Sequence, residues 1–112
     1  MSELPGSRAE RRASWWYRLR GYRILETNAW AGGYELDLVV RRGRRLVFCE
    51  VKEKAGPLFG TPAEMVDGEK QRRIRRAASA WLEAHPEHAG LPVSFDVICV
   101  QEGRLVHLAE AF

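Results

Sequence analysis

The acidic and basic side chains with the clearest chemical potential lie in one apolar stretch, residues 33–54. Asp37 and Glu50 are carboxylates within two strand-like segments, and Lys52 follows Glu50 by two positions. Two carboxylates brought together in an apolar sheet repel each other and lose hydration, so a positive charge is needed between them. Lys52 supplies one charge, and a hard divalent cation, Mg²⁺ or Mn²⁺, would supply the rest. These residue types predict a metal site; the alternative is a solvated, salt-bridged sheet surface.

The turn between the two segments determines how closely the carboxylates approach. Both segments have the apolar content of paired strands, and the run between them is polar and rich in arginine. A two-residue loop at Gly43-Arg44 would place Asp37 directly opposite Glu50, whereas a loop at Arg42-Gly43 would make them diagonal neighbours. Because side chains alternate along a strand, both registers put the three charged groups on one face. The Cβ atoms of the two acids would then be roughly 5 to 8 Å apart.

Asp37, followed after a gap by Glu50-Val51-Lys52, is similar to the D…(D/E)-x-K signature of the PD-(D/E)XK nuclease superfamily. More narrowly, the chain resembles the YraN-like family of small bacterial proteins, which are similar to archaeal Holliday-junction resolvases. The triplet alone is a weak signal, but the resemblance covers almost the whole chain. It is carried by segments in the same order and spacing, namely 21–25, 33–38, 46–52, 59–66, 70–71 and 95–98.

The resemblance implies metal-dependent phosphodiester hydrolysis of nucleic acid, with a Mg²⁺-dependent endonuclease on branched or structured DNA as the finer expectation. It implies a Mg²⁺ or Mn²⁺ ion held by Asp37, Glu50 and the backbone carbonyl of Val51, with Lys52 acting on the water or the phosphate. Glu10 would complete the catalytic and metal-binding set, although a helix cap explains the same residue. A branched substrate would need two sites and hence a homodimer. The open alternative is a non-catalytic nucleic-acid-binding or scaffold protein that retains the fold.

Further residues are candidates for supporting the metal ligands or for touching substrate. Glu35 lies two residues before Asp37 and so on the same face. Lys70 and Gln71 match the family's Lys-Gln pair on the helix after the E-x-K strand, although Lys70 is equally compatible with a solvated surface position.

The arginines form three clusters, at 8–23, 41–45 and 72–76, and Arg42 and Arg73 are the members considered as substrate contacts. Such clusters around a carboxylate site would hold the phosphates of a polyanion without reading its sequence. The alternative is a set of solvated helix and turn arginines.

Length and composition set bounds on this interpretation. A chain of 112 residues with 46% hydrophobic and 29% charged residues predicts one globular domain over 1–112, with a loose tail at 1–7. The net charge of +3 and pI of about 9.2 make it mildly basic. Cys49 and Cys99 lie in apolar segments and are predicted to be buried free thiols. No signal-peptide pattern or membrane-length apolar run is present in the sequence, which predicts a cytoplasmic protein.

The patterns predict an α/β fold, and the resemblance implies that it is restriction-endonuclease-like, α-β-β-β-α-β(-β), with a mixed central sheet flanked by helices. The first helix spans 8–20, with Ser7 and Glu10 as a capping box, Gly21 as its end, and its aromatic residues and Leu19 facing the core. The remaining predicted elements are a strand at 22–28, a loop at 28–34, the hairpin, a loop from 53 to 60, a helical turn at 61–66, a helix from Asp67 to about His85, and strands at 94–101 and 104–108. His85 and His88 are expected in a surface loop, and Asp96 is expected to be a structural hydrogen-bonding residue.

Overall fold

The computed structural model of the chain describes residues 7–54 and 66–112 and has the predicted α/β architecture, in the order expected of a restriction-endonuclease-like fold. Its elements are α1 (Arg8–Arg18), β1 (Arg23–Ala31), β2 (Tyr34–Arg42), β3 (Arg45–Lys54), α2 (Gly68–Ala84), a short 3-10 turn (Pro86–His88), β4 (Val93–Gln101) and β5 (Arg104–Leu108). The helical turn predicted at 61–66 and the loop before it lie mainly outside the described residues.

The five strands form one mixed sheet in the order β1-β2-β3-β4-β5. β1, β2 and β3 pair antiparallel as a meander, β3 and β4 pair in parallel, and β5 pairs antiparallel with β4. A parallel pair needs a crossover connection, and the segment containing α2 supplies it here. The middle strands are covered on both faces, which explains their nearly continuous apolar runs.

Each face of the sheet carries its own apolar cluster. One cluster packs α1 against the sheet through buried residues that include Ala13, Tyr17 and Val47. The other packs α2 against the opposite face, with Phe48 and Trp81 meeting edge to face at a centroid distance of 5.7 Å. The middle strands of the sheet therefore lie between two helices, which cover β2 and β3 on both faces.

The helix starts are as the sequence predicts. The hydroxyl of Ser7 accepts a hydrogen bond from the backbone N–H of Glu10, and the Glu10 carboxylate accepts from the N–H of Ser7. Asp67 accepts in the same way from the N–H of Lys70 and begins α2. Such caps satisfy donors that the first turn of a helix leaves free.

The outer face of α1 differs from the prediction. Trp15 and Leu19 do not face the core but are 57% and 77% exposed, and the helix ends at Arg18, earlier than expected. Of the three aromatic residues of α1, only Tyr17 is fully buried, and Trp16 is half-buried. The prediction failed because only some of the apolar residues of α1 lie on the side of the helix that contacts the sheet.

The first strand is also longer than predicted. The expected loop at 28–34 is wrong, because β1 continues through Trp30 to Ala31 and only Gly32-Gly33 turns the chain into β2. Asn28 stays within the strand although its φ is 51°. A Cβ at Gly32 would lie 3.0 Å from the carbonyl oxygen of Arg76, so the tip of this hairpin is seated against α2.

The end of the chain is held by buried polar contacts. Asp96 is 2% exposed and accepts hydrogen bonds from the hydroxyls of Tyr17 and Ser94, from the Nε2 of His107 and from the N–H of Glu110. These bonds hold the pKa of Asp96 below its ordinary value although burial opposes them. Asp96 therefore has the structural role expected, connecting β4 to α1 and β5.

Two further side-chain predictions can be compared with the structure. Cys49 and Cys99 are buried free thiols, as expected. The surface position predicted for His88 is wrong: this residue is 8% exposed, and its Nδ1 lies 2.8 Å from the Nη1 of Arg41. Among the described residues, no helix has the length and apolar character needed to cross a membrane.

Candidate active site

The β2–β3 hairpin brings the predicted acidic pair together. Arg42 pairs with Arg45, so Gly43 and Arg44 form the two-residue loop, with a φ of 59° at Gly43. Of the two registers considered, this is the one in which Asp37 and Glu50 are opposite each other. Counted from the turn, the regular pairing of the two strands ends at Leu38 and Cys49, one position before Asp37 and Glu50.

At Asp37 the strand departs from simple alternation. Leu36 packs in the cluster on the α2 side, whereas Leu38 packs in the cluster on the α1 side. Between them, an Asp37 carboxylate oxygen accepts a hydrogen bond of 2.9 Å from the backbone N–H of Val51. The carboxyl of Asp37 therefore points across the sheet toward β3, where a backbone carbonyl would otherwise accept that bond.

Glu50 belongs to the face of β3 that α2 covers. Leu46 and Phe48 pack on that side, so alternation places Glu50 and Lys52 there as well. Glu50 is 6% exposed, and glutamates are rarely buried to this extent unless they are paired.

The two carboxyls share a hydrogen bond, and burial dominates their electrostatics. Burial raises the pKa of Glu50 to about 9, and its hydrogen bond to Asp37 and the negative charge of Asp37 add to the effect. Burial also raises the pKa of Asp37, although the hydrogen bonds from Glu50 and from the Val51 N–H oppose this. At neutral pH and without a cation, Glu50 therefore holds the proton that it donates to Asp37.

Two lysines lie beside the pair. The positive charges of Lys52 and Lys70 both act to lower the pKa of Glu50, but they do not overcome its burial. Burial lowers the pKa of Lys52, and a hydrogen bond with Lys70 and its charge lower it further. The structure thus brings Lys70, from the first turn of α2, next to the Glu50-Val51-Lys52 segment, as the Lys-Gln resemblance implied.

Glu10, on α1, and Glu35, on β2, border the site. The charges of both act to raise the pKa of Asp37, with Glu10 the larger of the two. The Glu10 carboxylate is already used in the α1 cap and also accepts a hydrogen bond of 3.3 Å from Asn28. Glu35 is exposed on β2, and because Tyr34 and Leu36 on either side of it pack on the α2 side, alternation directs it away from the face that carries Glu50. The prediction that Glu35 shares the face of the acidic pair is therefore wrong.

Tyr34 belongs to this neighbourhood although the sequence analysis did not single it out. Burial raises the pKa of its phenol to about 12, as do the charges of Glu50 and Asp37, while the charge of Arg73 opposes them. Tyr34 packs in the α2-side cluster as Leu36 does. This period-two pattern was the available signal, but only the seating of the hairpin against α2 brings the phenol close to the carboxyls.

The remaining candidates lie at different distances from the carboxyls. Arg73 acts on Tyr34 and also forms an ion pair of 3.1 Å with Glu69. Gln71 donates a hydrogen bond of 2.9 Å to the carbonyl of Val66, which fixes the entry to α2. Arg42 lies at the far end of the hairpin, where its guanidinium covers Tyr22.

The donor set suits a small hard cation. Mg²⁺ is commonly held by one or two carboxylates while it keeps several waters, so Asp37 and Glu50 supply enough protein charge. The two carboxyls share a proton because two negative charges so close together repel each other. A divalent ion in place of that proton would allow both carboxyls to be ionised. Within residues 7–54 and 66–112, no group of three or more His, Cys, Asp or Glu side chains is arranged to hold a metal. Asp37 and Glu50 are the two side chains that this arrangement offers to an ion, and the Val51 carbonyl and Glu10 are further ligands that the resemblance implies.

The amino-acid sequence of the chain is similar to those of known proteins. The chain is 48% identical over 97 residues to a UPF0102 protein from Frankia alni, covering 82% of this chain and 80% of the relative. It is 43% identical over 110 residues to one from Methylobacterium nodulans, covering 97% and 84%, respectively. Another, from Magnetococcus marinus, is 40% identical over 95 residues, covering 85% and 77%. A family model described as uncharacterised protein family UPF0102 matches residues 9–100. The chain therefore belongs to the UPF0102 family.

Proposed function

We propose that this protein hydrolyses phosphodiester bonds in nucleic acid with the help of Mg²⁺ or Mn²⁺, as a nuclease of the PD-(D/E)XK type. The observation that carries the proposal is the hydrogen-bonded pair of half-buried Asp37 and buried Glu50, with Lys52 and Lys70 beside it. A protein that only bound nucleic acid would gain nothing from placing buried carboxyls where phosphates must approach. Buried titratable groups with strongly perturbed pKa values are typical of catalytic sites.

Asp37 and Glu50 would hold the cation, and the Val51 carbonyl is the backbone ligand that the family resemblance implies. When bound, the cation would polarise the scissile phosphate and lower the pKa of a coordinated water. Glu10 is close enough to influence Asp37, so it would act from the α1 side while still capping its helix.

The protein's own side chains would then organise the reaction. In hydrolysis, the oxygen of water forms a new bond to phosphorus, one ester P–O bond breaks, and the leaving oxygen takes up a proton. Lys52 orients the water or donates hydrogen bonds to the phosphate oxygens on which negative charge accumulates. Ionised carboxylates would favour the protonated, positively charged form of Lys52, because the charges of Glu50 and Asp37 both act to raise its pKa.

The surrounding arginines fit a polyanionic substrate. Arg72, Arg73, Arg75 and Arg76 are exposed on α2, whose first turn also carries Lys70. Positive charges at this position would attract phosphates toward the carboxyl pair and reduce their mutual repulsion. Branched or structured DNA is the finer form of the proposal, with a homodimer to cut two strands of a junction.

Incubation with a labelled panel of linear, flapped and four-way DNAs, and of RNA, in Mg²⁺ or Mn²⁺ tests the proposal. We expect cleavage of at least one substrate, abolished by EDTA and by Asp37→Asn and Glu50→Gln, which keep side-chain size while removing charge. Glu83→Gln is the matched control, because Glu83 is an exposed carboxylate in the second half of α2.

Each outcome has a distinct meaning. Metal-dependent cleavage that needs both acids supports the nuclease. Tight binding of nucleic acid by wild type without cleavage of any substrate would instead support the non-catalytic binding protein. Cleavage that survives both substitutions would show that a contaminant or another site is responsible.

A further inference from the structure

The tip of the β1–β2 hairpin exposes a large aromatic side chain next to the candidate site. Trp30 is 74% exposed, whereas its strand neighbour Ala29 is 2% exposed and packs on the α2 side together with Ala31. Alternation therefore directs the indole to the opposite side of the hairpin. The strand holds Trp30 in a fixed place although its ring is left in water.

The position of Trp30 relative to the carboxyls follows from the strand register. Trp30 pairs directly with Glu35, which lies two residues before Asp37. At about 3.4 Å per residue, the indole is anchored roughly 7 Å along the sheet from Asp37. The charge of Glu35 acts on Asp37, so this stretch of the hairpin and the carboxyl pair share one electrostatic environment.

The basic surface of α2 lies beside the same hairpin tip. Gly32 approaches the backbone of α2 so closely that a Cβ there would be 3.0 Å from the Arg76 carbonyl oxygen and 3.1 Å from the Ala77 Cα. Arg73 acts on Tyr34, which follows the turn. Because β1 is the edge strand of the sheet, a nucleic-acid strand held by these arginines can continue around that open edge to Trp30 on the other side of the hairpin.

The charges around Trp30 favour a base over a phosphate. Glu35 lies opposite the indole and would repel a phosphate placed on the ring. A neutral base has no such penalty, and the stacking of bases on aromatic side chains is a general means of holding single strands. We propose that Trp30 stacks on an unpaired base of the strand that passes the candidate site around the β1 edge, and so selects nucleic acid with unpaired bases over uninterrupted duplex. This inference rests on the proposed nuclease function and specifies its substrate class.

Trp15 provides a matched control. It is also exposed, at 57%, but it lies on the outer face of α1, where the guanidinium of Arg18 sits 5.3 Å from the ring centroid. Substitution of either tryptophan removes an exposed indole without opening a cavity in the core. Of the two tryptophans, Trp30 alone lies on the strand that pairs with β2, two positions along the register from Asp37.

The test measures binding of the full chain in EDTA, so that no cleavage interferes. Fluorescence anisotropy would follow a labelled duplex with a single-stranded flap, and a second set in which each of the flap nucleotides nearest the junction is abasic in turn. We expect Trp30→Ala to weaken binding to the intact flap about tenfold, and Trp15→Ala to change it less than twofold. With the stacking base removed, wild type and Trp30→Ala should bind equally.

Other outcomes would overturn the inference. Equal weakening by Trp30→Ala for the intact flap and for every one of the abasic flaps would show that no base is stacked. Unchanged affinity of Trp30→Ala for every oligonucleotide that wild type binds would remove the nucleic-acid role and leave Trp30 as a protein-contact residue. If wild type cleaves the panel while either result holds, only the inference fails; if wild type neither binds nor cleaves, the proposed function fails with it.

Discussion

Glu50→Gln should stabilise the metal-free protein, although it removes a charged residue from the candidate catalytic pair. The raised pKa of Glu50 means that the folded protein binds this proton more tightly than the unfolded chain does. The resulting stability is fully present below the unfolded value of 4.5 and is lost as pH rises toward about 9. Glutamine avoids this loss because its amide donates to Asp37 without titrating.

The size of the effect follows from the titration. Each pH unit between the unfolded and folded pKa values costs about 1.4 kcal/mol, so the group destabilises the protein by at most about 3 kcal/mol at pH 7. Between pH 5 and pH 8 the difference grows by at most about 4 kcal/mol. At about 4 °C per kcal/mol, the Tm of the variant should rise relative to wild type by up to about 15 °C over this range.

Thermal unfolding in EDTA from pH 5 to pH 8, followed by circular dichroism, measures this difference. The Glu83→Gln control, with its exposed side chain, should follow wild type within about 0.5 kcal/mol at each pH. Addition of Mg²⁺ at pH 8 should raise the Tm of wild type but not that of Glu50→Gln. A gap between variant and wild type that does not widen with pH would refute the claim that Glu50 is buried with a shared proton.

Three further predictions address other parts of the structure. Lys52→Ala should reduce the cleavage rate at least about 100-fold while leaving Mg²⁺ affinity, measured by calorimetry, within a fewfold of wild type; loss of metal binding instead would make Lys52 structural. Gly32→Ala should lower the Tm more than Gly33→Ala, because both glycines have positive φ but only at Gly32 would the added Cβ press against the Arg76 carbonyl. Equal losses would mean that the hairpin tip does not pack against α2. Duplex affinity should fall with salt at a log–log slope of about −0.9 per phosphate contacted, and a flat dependence would exclude phosphate-driven binding.

Local sequence signals were sufficient for much of the fold. The Ser7 and Glu10 capping box, the Asp67 cap and the glycine of the β2–β3 turn each identify an element boundary through a specific hydrogen bond or backbone angle. The longer β1 was missed because Asn28 and two alanines have low strand propensity, and tertiary pairing overrides such preferences. The Gly32-Gly33 turn was the signal that could have corrected it.

Some features of the candidate site could likewise be predicted from the sequence, and others could not. The proximity of Asp37 and Glu50 could be predicted because both positions are counted from one turn of known length. The contact of Asp37 with the Val51 N–H could not, since it depends on an interruption of alternation that period-two reasoning does not contain. Tyr34 and Lys70 join the site only through the packing of α2 on the sheet, which no local pattern encodes.

The proposed function requires that Asp37 and Glu50 together hold one divalent cation. Calorimetric titration of the full chain with Mg²⁺ or Mn²⁺, in buffers of different ionisation enthalpy, tests it most directly. We predict one ion per chain, with release near pH 7 of about one proton, the one that Glu50 holds in the metal-free state. Asp37→Asn and Glu50→Gln should each abolish the signal, and Glu83→Gln should preserve it. Absence of binding by wild type, or undiminished binding by both variants, would contradict the account.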